Sequence, residues 1–198
     1  MAAPTPHQML CVADATAWRA WLDLHEAESD GVWLVLAKKD VTQPTSLTYA
    51  QALDEALCSG WIDGQKRSND ERTFLQRFTP RRARSVWSAR NVEHIARLQA
   101  DGRMRPSGTV QVEAAKADGR WDRAYSGSAD AVVPDDLVAA LAGDPAAAAR
   151  FEALTRAERY SVLHPLMTAS TPEVRARRLA KAMTTLSGVP GGSEGRPS

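Results

Sequence analysis

Cysteine is scarce in this chain: Cys11 and Cys58 are the only two among 198 residues. That excludes a disulfide framework, and a cysteine-based zinc site would need histidine or carboxylate partners. Long apolar runs are missing too. Val32 to Ala37 is as long as any, far short of the roughly 20 residues that cross a bilayer as a helix. The N-terminus has no basic segment leading into an apolar stretch and cleavage site, so the expectation is a cytoplasmic protein with no membrane span. Metal-ligand patterns such as His-Glu-x-x-His, His-x-His and Cys-x-x-Cys are absent, as are Gly-x-Gly-x-x-Gly and the P-loop. The reading is therefore no metal site, no evident cofactor, and no nucleotide held by those loops. His7, His25, His94 and His164 are scattered along the chain, and no spacing pairs one with a serine or cysteine nucleophile. Nor does one sign of charge dominate: 25 Lys+Arg stand against 24 Asp+Glu, a net charge of +1, which disfavours a generic polyanion binder.

What is present is an ordinary globular composition, 43% hydrophobic and 25% charged, with an uneven distribution of charge. Residues 1–65 carry 3 basic and 9 acidic groups, 66–105 carry 11 and 4, and 106–198 carry 11 and 11. In the basic block every cation but Lys66 is an arginine. Guanidinium forks suit defined carboxylate or phosphate contacts. Two explanations stay open: these arginines meet a ligand, or they pair with the acidic first third.

Periodicity orders the chain. Trp18, Trp21, Leu22 and His25 make a helical stripe beginning near Asp14, and Val32–Ala37 is a strand covered on both faces, with Lys38-Lys39 at its exit. Thr48 and Gln51 have capping-box spacing for a helix that Gly60 stops. Trp61–Arg67 and Thr73–Thr79 form a hairpin in which Trp61, Asp63, Gln65 and Arg67 share a face. Helices follow at about 89–101, 107–118, 134–142, 145–154, 155–167 and 171–186, the last with Ala176, Leu179, Met183 and Leu186 inward. The fold class is α+β: a small mixed sheet and hairpin packed by helices, then a helical C-terminal half. The expected division is an α+β domain over 10–105, a helical region over 106–186 and a disordered Gly/Pro/Ser tail over 187–198.

The densest chemistry lies in Cys58-Ser59-Gly60-Trp61-Ile62-Asp63-Gly64-Gln65-Lys66 and, beyond the hairpin turn, Arg77 to Arg82 with Trp87. Trp61, Asp63, Gln65, Arg77, Arg81, Arg82 and Trp87 are the candidate ligand-binding residues: arginines for negative charge, indoles for stacking, Asp63 for orientation. The competing arrangement has Asp63 pairing with Arg77 or Arg81 while the indoles fill the core. No catalytic residue is identified; Asp63 and Cys58 are the candidates, and Cys58 sits near a helix C-terminus, where the dipole disfavours a thiolate.

The same stretch, with Phe78-Thr79-Pro80-Arg81-Arg82, Ser85-Val86-Trp87-Ser88 and Asn91, resembles the bacterial YdeI/OmpD-associated family. The likeness continues through Gly102-Arg103-Met104-Arg105-Pro106, Ala114 to Trp121 and Glu173-Val174-Arg175-Ala176-Arg177-Arg178. It implies a link to bacteriocin or antimicrobial-peptide protection and to an outer-membrane porin, and it transfers no catalytic residue. Position 59 is Ser where the family commonly has an aromatic. The resulting expectation is a stress-protection protein with a basic, Trp-lined cleft for a small anionic or aromatic molecule. Two alternatives accompany it: an interaction module without catalysis, whose basic surface meets an acidic protein partner, and a nucleic-acid binder, which the near-neutral total charge disfavours.

Overall fold

Local signals place most elements in the computed structural model, which describes residues 9–188. His7 and the tail beyond residue 188 lie outside the described residues. Asp14 caps α1 (Ala15–His25) by accepting from the Ala17 amide, and β2 (Val32–Ala37) is buried along its whole length. Thr48 and Gln51 close the expected capping box on α2 (Tyr49–Cys58). The hairpin is β3 (Trp61–Ser68) and β4 (Thr73–Pro80), followed by α3 (Ala89–Ala100) and α4 (Pro106–Ala117). The remaining helices are α5 (Asp135–Ala142), α6 (Pro145–Ala153), α7 (Arg156–Met167) and α8 (Pro172–Ser187). The protein is α+β. Among the described residues, no helix is long and apolar enough to cross a membrane.

The described residues form two compact units: 9–85 with Asn91–Asp122, and Val86–Arg90 with 123–188. The division falls after Asp122 rather than at residue 105 because α4 packs against the end of α2. A Cβ at Gly108 on α4 would lie 2.8 Å from the Cys58 carbonyl carbon. Glycine is needed there for close approach.

In the first unit the sheet order is β1-β2-β4-β3, where β1 (Met9–Leu10) runs parallel to β2 and the other pairs are antiparallel. Trp18, fully buried, packs its ring on Trp61 and Phe78 and donates its indole N–H to the Ala52 carbonyl at 3.1 Å. One indole thereby joins α1, α2 and the sheet. Burying each of Leu34, Leu36, Leu53 and Leu57 contributes about 1.5–3 kcal/mol.

The hairpin departs from simple alternation. Pairing runs Trp61↔Pro80, Ile62↔Thr79 and Asp63↔Phe78, then resumes one residue later at Lys66↔Gln76 and Arg67↔Leu75. Gly64 and Gln65 thus form a β-bulge opposite Arg77. Buried Gln76 secures it by donating Nε2 to the Gly64 carbonyl at 2.8 Å and the Gln65 carbonyl at 3.3 Å. The expectation that Trp61, Asp63, Gln65 and Arg67 share a face is corrected: past the bulge Lys66 continues the face of Trp61 and Asp63, and Arg67 crosses to the other.

The second unit is built on Leu137, Leu141, Ala147, Phe151, Leu163, Leu166 and Leu186, with Leu179 and Met183 packed against them. Ala176, expected inward, is exposed. The segment 86–90 is held by Tyr125, whose amide donates to the Trp87 carbonyl at 2.9 Å while its carbonyl accepts from Ala89 at 2.8 Å.

Candidate functional site

The structure separates the residues singled out in the sequence. Trp61 is 1% exposed, with its ring edge-on to Trp18 and Trp21, so its surface is committed to the core. Asp63, half-buried on the same face, accepts from the Tyr49 hydroxyl at 2.8 Å. Gln65 is exposed in the bulge. Arg77 lies on the opposite sheet face, where its Nη2 donates to the Asp30 carbonyl at 3.4 Å and its Nη1 is buried without a hydrogen-bond partner. Burial pulls its pKa down, against the opposing pull of Asp30. Arg81 is buried, its amide donating to the Gly60 carbonyl at 3.0 Å, whereas Arg82 is exposed at the strand exit with its amide on Ser85 Oγ. Trp87 is buried and belongs to the second unit. Arg67, Arg77 and Arg82 make no salt bridge among the described residues.

Other arginines of the basic block do meet the acidic first third. Glu55, buried on α2, accepts from Arg103 Nη2 at 2.6 Å and Arg105 Nη2 at 3.2 Å. Arg105 also reaches the Glu55 carbonyl, Ser59 Oγ and, through Nε, Asp23 on α1 at 3.0 Å. The neighbouring Asp54 takes Arg97 at 2.6 Å, His94 at 3.3 Å and Arg103 at 3.5 Å. These contacts tie α1, α2 and α3 to the turn before α4, satisfying a carbonyl at the end of α2 as well as the charges. Cys58 lies inside this cluster. Burial first, and Glu55 next, push its thiol pKa up while Arg103 and Arg105 pull it down; the net shift is upward. At neutral pH it is therefore a protonated thiol. Sequence reasoning gave Asp54, Glu55, Arg103 and Arg105 no site role; the charge asymmetry, and for the two arginines their place in a motif of the family resemblance, were the signals.

An open cleft of about 640 Å³ lies at the other end of the hairpin, lined by Ala37, Lys38, Lys39, Lys66, Arg67, Ser68 and Phe74. The register explains it. β4 pairs Thr73 with Ala37 and Phe74 with Ser68, so the exit of β2 and the end of β3 flank one strand. Two of its lysines are held: Lys38 Nζ donates to the Asp70 carbonyl at 2.7 Å, and Lys66 sits 4.3 Å from the Phe74 ring centroid; the Arg67 guanidinium lies on the other sheet face, 4.1 Å from the ring centroid of Trp33. Such cation–π contacts fix position at little cost in net charge. No carboxylate lines the cleft. Lys38 and Lys39 were visible in the sequence as a strand exit, but only pairing sets them beside Lys66 and Arg67. Among the described residues, no group of three His, Cys, Asp or Glu side chains could hold a metal ion.

In the second unit His164 packs edge-on to Tyr125 at 4.8 Å and beside Tyr160 at 5.5 Å. Helix α7 runs through Pro165. Arg178 and Arg175 donate to the Pro165 and Leu166 carbonyls at its end, at 2.6 and 2.8 Å. Burial, and then Arg178, lower the His164 pKa from its ordinary value near 6.5. The unfolded chain takes up this proton before the folded one. The contribution of His164 is thus present above about pH 6.5 and lost as pH falls through the lower folded pKa. Thermal unfolding of the second unit between pH 7.5 and 5.5 is expected to move down, and His164→Gln to flatten that slope; an unchanged slope in the variant would refute the assignment.

Comparison with known families aligns with the two units. A domain of unknown function, DUF8412, matches residues 10–111, and the family described as Bacteriocin-protection, YdeI or OmpD-Associated matches residues 130–188. Of the motifs carrying the resemblance, Glu173 to Arg178 fall in the second match, those from Cys58 to Pro106 in the first, and Ala114 to Trp121 in neither. Neither a curated protein nor a solved structure matches the chain.

Proposed function

The chain belongs to the DUF8412 family through its first unit and carries a YdeI/OmpD-associated segment in its second; from that premise we propose that the first unit binds a small anion between Lys38, Lys39 and Lys66. One observation carries the reading: three lysines and no carboxylate line a single cleft, with Lys38 and Lys66 already positioned. Like charges gathered in one cleft repel one another, Asp70 offsets only the charge of Lys38, and an anion removes the remaining repulsion. Prepositioning lowers the ordering entropy the anion must overcome. Charge rather than stacking is the offer, since cations already cover Phe74 and Trp33.

The site residues expected from the sequence enter this proposal in altered roles. Arg77 extends the basic face of Arg67, Gln65 belongs to the bulge that turns Arg67 across the sheet, and Trp61, Asp63 and Arg81 support the hairpin from within. Titration with citrate, sulfate and glutamate, followed by amide shifts, is expected to give saturable changes at Lys66–Ser68. Lys66→Gln should weaken binding about tenfold, the loss of one charge-assisted hydrogen bond of about 1.5 kcal/mol. If no anion gives a saturable shift, the cleft is not a binding site.

The description of the second unit's family supplies a cellular setting, protection against bacteriocins. A strain lacking the gene should survive bacteriocin exposure less well, and the wild-type chain should restore survival. Equal survival with and without the gene would remove that setting.

A further inference from the structure

We infer that the sheet face turned away from Trp18 and α1 is a docking surface for an acidic polypeptide segment, whose carboxylates meet Arg67 and Arg77. It uses none of Lys38, Lys39 and Lys66, so it goes beyond the anion reading above. Register defines the face. Met9 pairs with Trp33, Trp33 with Arg77, and Arg67 with Leu75, and cross-strand partners point the same way. Trp61 and Phe78, against which Trp18 packs, belong to the opposite face. Both guanidiniums reach across to the strand β2 and its entrance: that of Arg67 lies 4.1 Å from the Trp33 ring centroid, and Arg77 Nη2 lies 3.1 Å from where a Gly31 Cβ would stand. Gly31 and Trp33 are alternate positions, about 7 Å apart along extended chain, and the side chains on one face of an extended partner repeat at the same spacing. Neither arginine makes a salt bridge among the described residues, and Asp30 offsets only part of the Arg77 charge. Arg77 is half-buried, with its Nη1 lacking a hydrogen-bond partner. A carboxylate laid against so poorly solvated a cation gains more than it would in open water.

The neighbours of the two arginines select a protein over a nucleic acid. Met9 is 62% exposed, and Leu75 and Ile62 are half-buried on the same face. A polypeptide brings apolar side chains to such neighbours together with its carboxylates, and complementary charge then fixes its register. A nucleic acid would need bases to stack and a continuous positive track. The Trp33 ring is 5% exposed and already covered by Arg67, which leaves no stacking platform, and the exposed carboxylates of Glu28 and Asp30 at the entrance to β2 interrupt the track.

The test titrates the full chain with a synthetic peptide carrying two glutamates and a leucine at alternate positions, serines between them, beside its glutamine analogue and an oligothymidylate. Binding is followed by the Met9 methyl and the Leu75 and Arg77 amides. The acidic peptide should saturate these signals, its glutamine analogue should bind at least about tenfold more weakly, and Arg67→Gln and Arg77→Gln should each weaken the acidic peptide about tenfold, the loss of one charge-assisted contact. Arg67 is exposed, so its variant carries the test even where Arg77→Gln fails to fold. Equal binding of the glutamine analogue, shifts confined to Lys38, Lys66 and Ser68, or no saturation would each overturn the docking surface. Tighter binding of the oligothymidylate would assign the face to nucleic acid, and shifts that grow with protein concentration alone would assign it to a second copy; either result also overturns the inference. The anion reading fails separately, when citrate, sulfate and glutamate leave Lys66 and Ser68 unmoved.

Discussion

Replacing Glu55 by alanine is expected to lower the unfolding free energy of the first unit by about 3 kcal/mol or more, the range for removing one partner of a buried ion pair. The carboxylate accepts from Arg103 at 2.6 Å and Arg105 at 3.2 Å, and the side chains of both Glu55 and Arg105 are 10% exposed. Without it, Arg105 keeps Asp23, half-exposed on α1, as its one carboxylate partner among the described residues, beside the residue 55 carbonyl and Ser59 Oγ, and Arg103 keeps Asp54 at 3.5 Å. The cost arises chiefly from positive charge left in a site that solvent barely reaches. For the same reason added salt should not erase it, because screening acts mainly on exposed charges. Asp23→Asn, at the solvent end of the network, should cost no more than about 1 kcal/mol. Urea denaturation of the two variants, with and without salt, measures both numbers; a loss below about 1 kcal/mol for Glu55→Ala would show that the network contributes little to the fold.

Gly108→Ala should reverse the usual helix propensity. On an exposed helix that change stabilises by about 1 kcal/mol. Here the new methyl would lie 2.8 Å from the Cys58 carbonyl carbon and 3.0 Å from the Leu57 carbonyl oxygen, with the Cys58 oxygen nearer still. Carbon atoms keep about 3.5 Å or more between them, and the obstructing atoms are backbone that cannot rotate away. Helix α4 would have to withdraw from the end of α2, disturbing the hydrogen bond from the Arg105 amide to the Cys58 carbonyl at 3.1 Å. We expect a net loss of about 2 kcal/mol or more, within or beyond the range for overpacking. Gly127, with open space around it, is the control, and its alanine variant should stay within about 0.5 kcal/mol of wild type. A Gly108→Ala protein as stable as wild type in the same urea titration would mean that the two helices yield easily.

These sites show why legibility varied along the chain. The caps at Asp14 and Thr48 and the stop at Gly60 were readable because each requirement is met within a few residues. The buried strand Val32–Ala37 was readable because apolar residues on both faces admit few other placements. Arg67 was not, since one extra residue at Gly64-Gln65 changes side-chain parity and the signal for it is Gln76, a residue on another strand. The Trp residues were legible as important but not in their roles: composition distinguishes neither a core indole from a stacking one nor the unit to which Trp87 belongs.

The sequence by itself determined the α+β class, the order of the elements and the opposite charge of the first third and the block after it, because these depend on short-range periodicity and on counting. Tertiary structure decided the pairing of those charges. It set Arg97, Arg103 and Arg105 on Asp54, Glu55 and Asp23, while Lys38, Lys39 and Lys66 gathered around a cleft with no lining carboxylate and Arg67 crossed to the other sheet face. Coulomb energy depends on separation in space, and strand register, a bulge and a glycine contact between helices set those separations.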